Sequence, residues 1–275
     1  MNPWLETTGV ILIAVFGVFV GRLFSRFRKP YWVLGYILPG VLIAMLAMVR
    51  FNNVLYFVQP FSWIAAGRIR YVVLSLAVSM GLTVPLSRLP YKFEKLIVCL
   101  LMAGFVTWFS VLPFLMPALI KEHLSNLQTK FDKNGICRQT TDYTCGPAAA
   151  VTALGKLGLR GHEGELAVLS YSSPVTGTLP SCLSSALQDR YGAEGLSCQY
   201  RSFDSIAQLK NAGITLALVR EAFLMNHCIA VLEVTDEAVT VADPVTGTRL
   251  MPYEQFEKIW RFCGIVLERH PLQSI

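Results

Sequence analysis

Acidic side chains are nearly missing from the first 120 residues, where Glu6 and Glu94 stand alone. Neither falls inside an apolar run, which argues against a transporter that relays protons or ions through carboxylates in the bilayer. Histidine is scarce, with four in 275 residues. The seven cysteines include no Cys-x-x-Cys pair, so neither a zinc site nor a thioredoxin-like dithiol is expected. No metal or other cofactor is expected on these grounds. The odd count leaves at least one thiol unpaired, and a disulfide such as one from Cys137 has no partner assigned by sequence. A Gly-x4-Gly-Lys-Ser/Thr phosphate loop is absent, because Gly155-Lys156 is followed by Leu157; ATP is not an expected ligand. No basic stretch precedes the first apolar run, whose positive cluster follows it instead, so a cleaved signal peptide is not expected.

Basic and apolar residues fill the same 120 positions. Ten Lys and Arg against two acids give this part a net charge of +8, whereas residues 121–275 carry fourteen basic and sixteen acidic side chains. The sequence pI of about 9.0 therefore belongs to the first part. A nucleic-acid partner is excluded by the slightly acidic second part, which offers no basic surplus. A membrane span needs about 20 mostly apolar residues. Four segments qualify, at 9–24, 31–49, 71–86 and 96–120, and define a transmembrane domain over 1–120. Val54–Ala66 is shorter, is interrupted by Gln59-Pro60, and reads as interfacial; a fifth crossing there would reverse the side of everything after it. Arg22, Arg26, Arg28 and Lys29 with Arg88, Lys92 and Lys95 outnumber Arg50, Arg68 and Arg70. The positive-inside rule then puts the first group in the cytoplasm. The expectation is a multi-pass inner-membrane protein whose C-terminal part is extracytoplasmic. Gly17 and Gly21 have small-xxx-small spacing, which in an apolar helix is more often chance than a packing motif.

The second part reads as a polar juxtamembrane linker, 121–134, followed by one domain over 135–270. Helices are expected at Gly146–Leu157, Glu163–Ser170, Cys182–Tyr191, Phe203–Asn211 and Pro252–Trp260. Strands are expected at Ile214–Arg220, His227–Val234, Ala238–Ala242 and Gly264–Leu267. Helices first and a mostly antiparallel sheet after make the fold class α+β. Cys182, Cys228 and Cys263 sit in apolar or small-residue company and read as core residues.

Four residues suggest chemistry. Cys145 precedes Gly146-Pro147, where a helix would open and where unpaired N–H groups and the macrodipole favour a thiolate. His227 enters an apolar strand, and Asp243 ends the neighbouring one, so Asp243 can fix the imidazole as the third member of a triad does. Gln139, six residues before the cysteine, can offer its amide to an oxyanion beside the Cys145 backbone N–H. Singly each is ordinary: a core cysteine, a structural histidine, a turn aspartate, a solvated glutamine. In the order Gln, Cys, His, Asp they are the working set of a papain-like cysteine peptidase.

The segment Ile136–Leu157, together with His227 and Asp243-Pro244, resembles the C39 peptidases, the papain-like domains that process bacteriocins. Asp243-Pro-Val-Thr-Gly247, Pro252-Tyr-Glu-Gln-Phe256 and Trp260 extend the likeness over roughly residues 135–268. The resemblance implies Cys145 as nucleophile, His227 as base, Asp243 as its partner and Gln139 as oxyanion donor. It also implies a peptide or precursor-protein substrate, with leader peptides cut after a double glycine in that family, and a separate exporter as a candidate partner beside the lipid bilayer. Exporter-fused members place Asp before the cysteine, where this chain has Thr144, and put their membrane segment after the peptidase rather than before it. Two other readings use the same cleft: a non-catalytic membrane receptor or scaffold that binds peptide, and an acyltransferase or transpeptidase whose thioester is resolved by an amine.

Overall fold

In a bilayer core every backbone polar group must be satisfied within the protein, so a chain of long apolar runs is driven into helices. The computed structural model describes residues 3–28, 30–222 and 225–270; Lys29, counted above among the basic residues, lies outside them. The chain divides into two compact units, Met1–Leu119 and Ile120–Ile275.

The first unit is helical, with α1 (Pro3–Ser25), α2 (Ile37–Phe51), α3 (Phe61–Ala65), α4 (Ile69–Thr83), α5 (Lys92–Val106) and α6 (Leu112–Leu119). With their 3₁₀ and π extensions they form four helices long and apolar enough to cross a membrane: Pro3–Ser25, Tyr31–Phe51, Ile69–Ser87 and Lys92–Leu119. The interval 54–66 holds only a 3₁₀ turn, Asn53–Phe57, and the five-residue α3. An ion pair of 2.6 Å joins Arg68, just before α4, to Glu6 in the first turn of α1. At the opposite ends, the Ser87 hydroxyl donates to Ser25 O at 2.9 Å. The starts of α1 and α4 are thus level with each other, as are their ends, so the two run parallel. Gly17 and Gly21 lie where α1 meets α4: a Cβ on Gly17 would come within 2.1 Å of Ser79 Oγ, and one on Gly21 within 2.6 Å of Met80 O. The spacing that chance would explain is here a close helix contact. Ser79 and Thr83 stay dry in it because each hydroxyl donates to the carbonyl four residues back, at 2.6 Å.

The second unit begins with α7 (Lys121–Ser125), then β1 (Lys130–Phe131) and β2 (Cys137–Arg138), paired antiparallel. Three helices follow: α8 (Cys145–Lys156), α9 (Glu163–Leu169) and α10 (Pro180–Tyr191). After β3 (Leu196–Ser202) and α11 (Ile206–Lys210) come β4 (Ile214–Ala222), β5 (Met225–Val234), β6 (Ala238–Asp243) and β7 (Gly247–Pro252). Then α12 (Tyr253–Ile259) leads into β8 (Trp260–Arg269). The order β3-β8-β4-β5-β6-β7 makes a six-stranded sheet, antiparallel at every pairing. Its strands alternate buried residues between two faces. Ala217, Val219, Ile229, Val231 and Val241 join Leu209 of α11 and Phe256 of α12 in one core cluster. The residues of opposite parity, among them Leu216, Ala230 and Ile265, are buried on the other side, and α8 packs against β4, β5 and β6.

Several elements differ from expectation. β3 and β7 were not anticipated, α11 is confined to Ile206–Lys210, and Trp260 opens β8 instead of ending α12. Cys228 and Cys263 are buried, whereas Cys182 is only half-buried, because it sits in the first turn of α10 rather than on its inner face. All seven cysteines are free thiols, Cys137 included. The polar run 121–134 is built into the second unit: Leu124 is fully buried, and Gly164 of α9 lies so close that a Cβ would stand 2.4 Å from Leu124 O.

Candidate active site

A helix leaves its first N–H groups unpaired, and Cys145 is the first residue of the twelve-residue α8. The turn before it is tied by its own side chains. Thr144 Oγ1 accepts from Thr141 N at 3.2 Å and lies 3.0 Å from Thr141 Oγ1. Thr178 Oγ1 donates to Tyr143 O at 3.1 Å, and Ser172 Oγ lies 2.6 Å from Thr178 Oγ1. Gly146 sits in tight surroundings, since a Cβ there would meet Thr178 Cβ and Leu183 Cδ2 at 3.1 Å.

His227, 8% exposed on β5, is brought to Cys145 on one side and Asp243 on the other. Its Nε2 lies 2.9 Å from Asp243 Oδ1, and Cys145 is near enough to the ring to favour its charged form. Burial alone would lower the imidazole pKa; the interactions with Asp243 and Cys145 outweigh it and hold the ring protonated up to about 10. Asp243 closes β6 in a turn that supplies two donors to its carboxylate. Val245 N donates to Oδ1 and the Thr246 hydroxyl to Oδ2, both at 2.8 Å. Burial would raise this carboxyl, but the bonds from His227, Val245 and Thr246 keep it far below the usual carboxylate range.

Gln139 follows β2, and its backbone N–H donates to Pro244 O at 3.2 Å, which ties it to the Asp243 turn. The Arg138 guanidinium donates to Val245 O across the same join. Gln139 lines a shallow pocket of about 250 Å³ with Asp142, Pro244 and Val245. Its Oε1 is buried without a hydrogen-bond partner, which leaves the amide NH2 as the end that can meet a substrate oxygen. Among the described residues no cluster of His, Cys, Asp and Glu could hold a metal ion.

Not foreseen from sequence were the residues that hold this arrangement. Thr178 could have been suspected only as a hydroxyl before the proline that opens α10. Glu163, read only as the start of a helix, is fully buried, with Oε1 accepting from both the N–H and the hydroxyl of Thr140, at 2.9 and 3.0 Å.

A family model described as the Peptidase C39 family matches residues 133–274. A protein of Methanothermobacter marburgensis, described as uncharacterized, is 32% identical over 134 residues, covering 49% of this chain and 88% of that protein. The peptidase domain of Streptococcus ComA, a bi-functional ABC transporter involved in a quorum-sensing pathway, is 19% identical at a TM-score of 0.43, over 48% of this chain and 96% of that one. A double glycine motif protease from an AMS/PCAT transporter, solved with its leader peptide, is 16% identical at a TM-score of 0.42, over 53% of this chain and 96% of that one.

Proposed function

The chain belongs to the peptidase C39 family, and from that premise we propose that it is a membrane-anchored cysteine endopeptidase acting on a peptide or precursor protein, leader-bearing precursors included. The observation that carries the proposal is His227 held 2.9 Å from Asp243, with Cys145 close enough to act on its charge. In this reading the proton already rests on His227, and the Cys145 thiolate beside that imidazolium attacks the scissile carbonyl carbon. Gln139 NH2 and the Cys145 N–H hydrogen-bond the oxygen as it becomes negative. The His227 imidazolium then gives its proton to the departing amine, leaving a thioester on Cys145. A water, deprotonated by His227, attacks that thioester and releases the acid with a free thiol. Asp243 stays ionised throughout and keeps the ring turned toward the thiol.

The four apolar helices anchor the enzyme in the cell membrane. If each crosses, Arg26, Arg28, Arg88, Lys92 and Lys95 share one side with Lys29, while Arg50, Arg68 and Arg70 share the other with the catalytic unit. The positive-inside rule then puts the catalytic unit outside the cytoplasm.

The test is labelling of the detergent-solubilised full chain with an iodoacetamide probe, mapped by peptide mass. Selective labelling at Cys145 that falls at least about tenfold in His227→Ala is the expected result. Equal slow labelling of several cysteines in both proteins would leave a peptide-binding module rather than an enzyme.

A further inference from the structure

We propose that Glu163 is a positioning residue for the oxyanion donor, acting on Gln139 through Thr140. The inference rests on the reading of Cys145 and Gln139 given above.

Gln139 needs a fixed backbone if its amide is to sit where negative charge develops, because preorganised donors stabilise that charge without reorganising. One side of the residue is held by its own N–H on Pro244 O. The other side is held by Glu163, whose Oε1 takes both polar hydrogens of the next residue, Thr140. A carboxylate acceptor makes these bonds stronger than neutral ones. Burial makes them costly to lose, since the Thr140 N–H would then lack a partner.

Glu163 is itself seated firmly. Its N–H donates to Thr129 Oγ1 at 2.9 Å, and the next residue, Gly164, is pressed against the carbonyls of Leu124 and Leu127. The side chain therefore cannot swing away to water, and 0% of the residue is exposed. A carboxylate this deep, with Oε2 buried and without a partner, is an expensive way to close one loop unless the position of that loop matters. The loop it closes runs from the candidate oxyanion donor to the candidate nucleophile.

The assay uses p-nitrophenyl acetate with the full chain in detergent, because acyl transfer from this ester to a thiol passes through an oxyanion. Alkylation of Cys145 by iodoacetamide serves as the comparison, because it forms none. Glu163→Ala is expected to lower kcat for the ester about tenfold or more, with KM changed less than about twofold and the alkylation rate retained. Glu163→Gln, which keeps one acceptor oxygen, should recover most of kcat. Combined with Gln139→Ala, Glu163→Ala should add little further loss, since both act on one donor. If Glu163→Ala does not fold, Glu163→Met, close in shape, takes its place.

The inference is overturned if the Glu163 variant keeps full ester turnover, if ester turnover and alkylation fall together, or if its effect multiplies independently with that of Gln139→Ala. Ester turnover retained by Cys145→Ala, or absent from the wild-type chain, would overturn the functional reading itself. Loss in Cys145→Ala and Gln139→Ala beside an unaffected Glu163→Ala would overturn only the role of Glu163.

Discussion

A histidine between a thiol and a buried carboxylate behaves differently from one in water, and the difference has a sign. Burial removes solvent from the His227 imidazolium and lowers its pKa. The interactions with Asp243 and Cys145 raise it further than burial lowers it, to about 10. A raised pKa means that the proton is present at neutral pH and is lost only as pH climbs through that value. The alkaline limb of kcat/KM for ester turnover should therefore lie near pH 10. Asp243→Ala removes the stronger of the two raising interactions, so the limb should move down by about one to three pH units. A pH–rate profile of both proteins checks this, and an unmoved limb would remove Asp243 from its role. Three other thiols of the second unit are poor competitors for an alkylating probe: burial pushes Cys137, Cys198 and Cys263 up to about 12. At this scale Gln139, Cys145, His227 and Asp243 stood out as candidates through their order along the chain, with a Cys-Gly-Pro helix start and an Asp-Pro turn among them. Glu163 and Thr178 did not, because what they do depends on residues 23 and 35 positions away.

Elements were legible in proportion to the apolar surface they bury. The central strands β4, β5 and β8, covered on both faces, each carry an unbroken run of five buried residues. β3 and β7 form the two edges of the sheet. Most of their residues are half-buried or exposed, so neither gives a hydrophobic run, and Pro252 ends β7 where an edge tolerates it. In the first unit the helices themselves were plain, but their mutual packing was not. The α1–α4 contact depends on two missing Cβ atoms, and it makes a testable claim. Gly21→Ala forces a methyl against Met80 O, where backbone must move; the expected loss is about 1–3 kcal/mol. Gly9→Ala, which meets nothing within 4 Å, is the matched control. Thermal unfolding of the two variants in detergent should separate them by several degrees, and equal melting would mean that α1 and α4 do not meet at Gly21.

For the whole molecule, the division into an apolar basic part and a slightly acidic folded part was visible from charge alone. The orientation proposed from the same charges can be read with reporter fusions. Alkaline phosphatase, active only outside the cytoplasm, should be inactive when fused after Pro90 and active at the C-terminus; the reverse pattern would turn the protein over. Hidden from the sequence was how early in the chain the second unit begins, at Ile120. Residues 121–134 are polar enough to look like a spacer, and the single leucine they bury, Leu124, carries no pattern. Leu124 and Thr129 nevertheless brace the start of α9 from which Glu163 reaches the Gln139 loop. A protease that nicked the chain between Leu124 and Thr129 to shed the second unit would strand that leucine on the membrane stump and unseat the helix behind the oxyanion donor. Release into the surroundings and loss of turnover would then be one event, and the enzyme would work only while still attached.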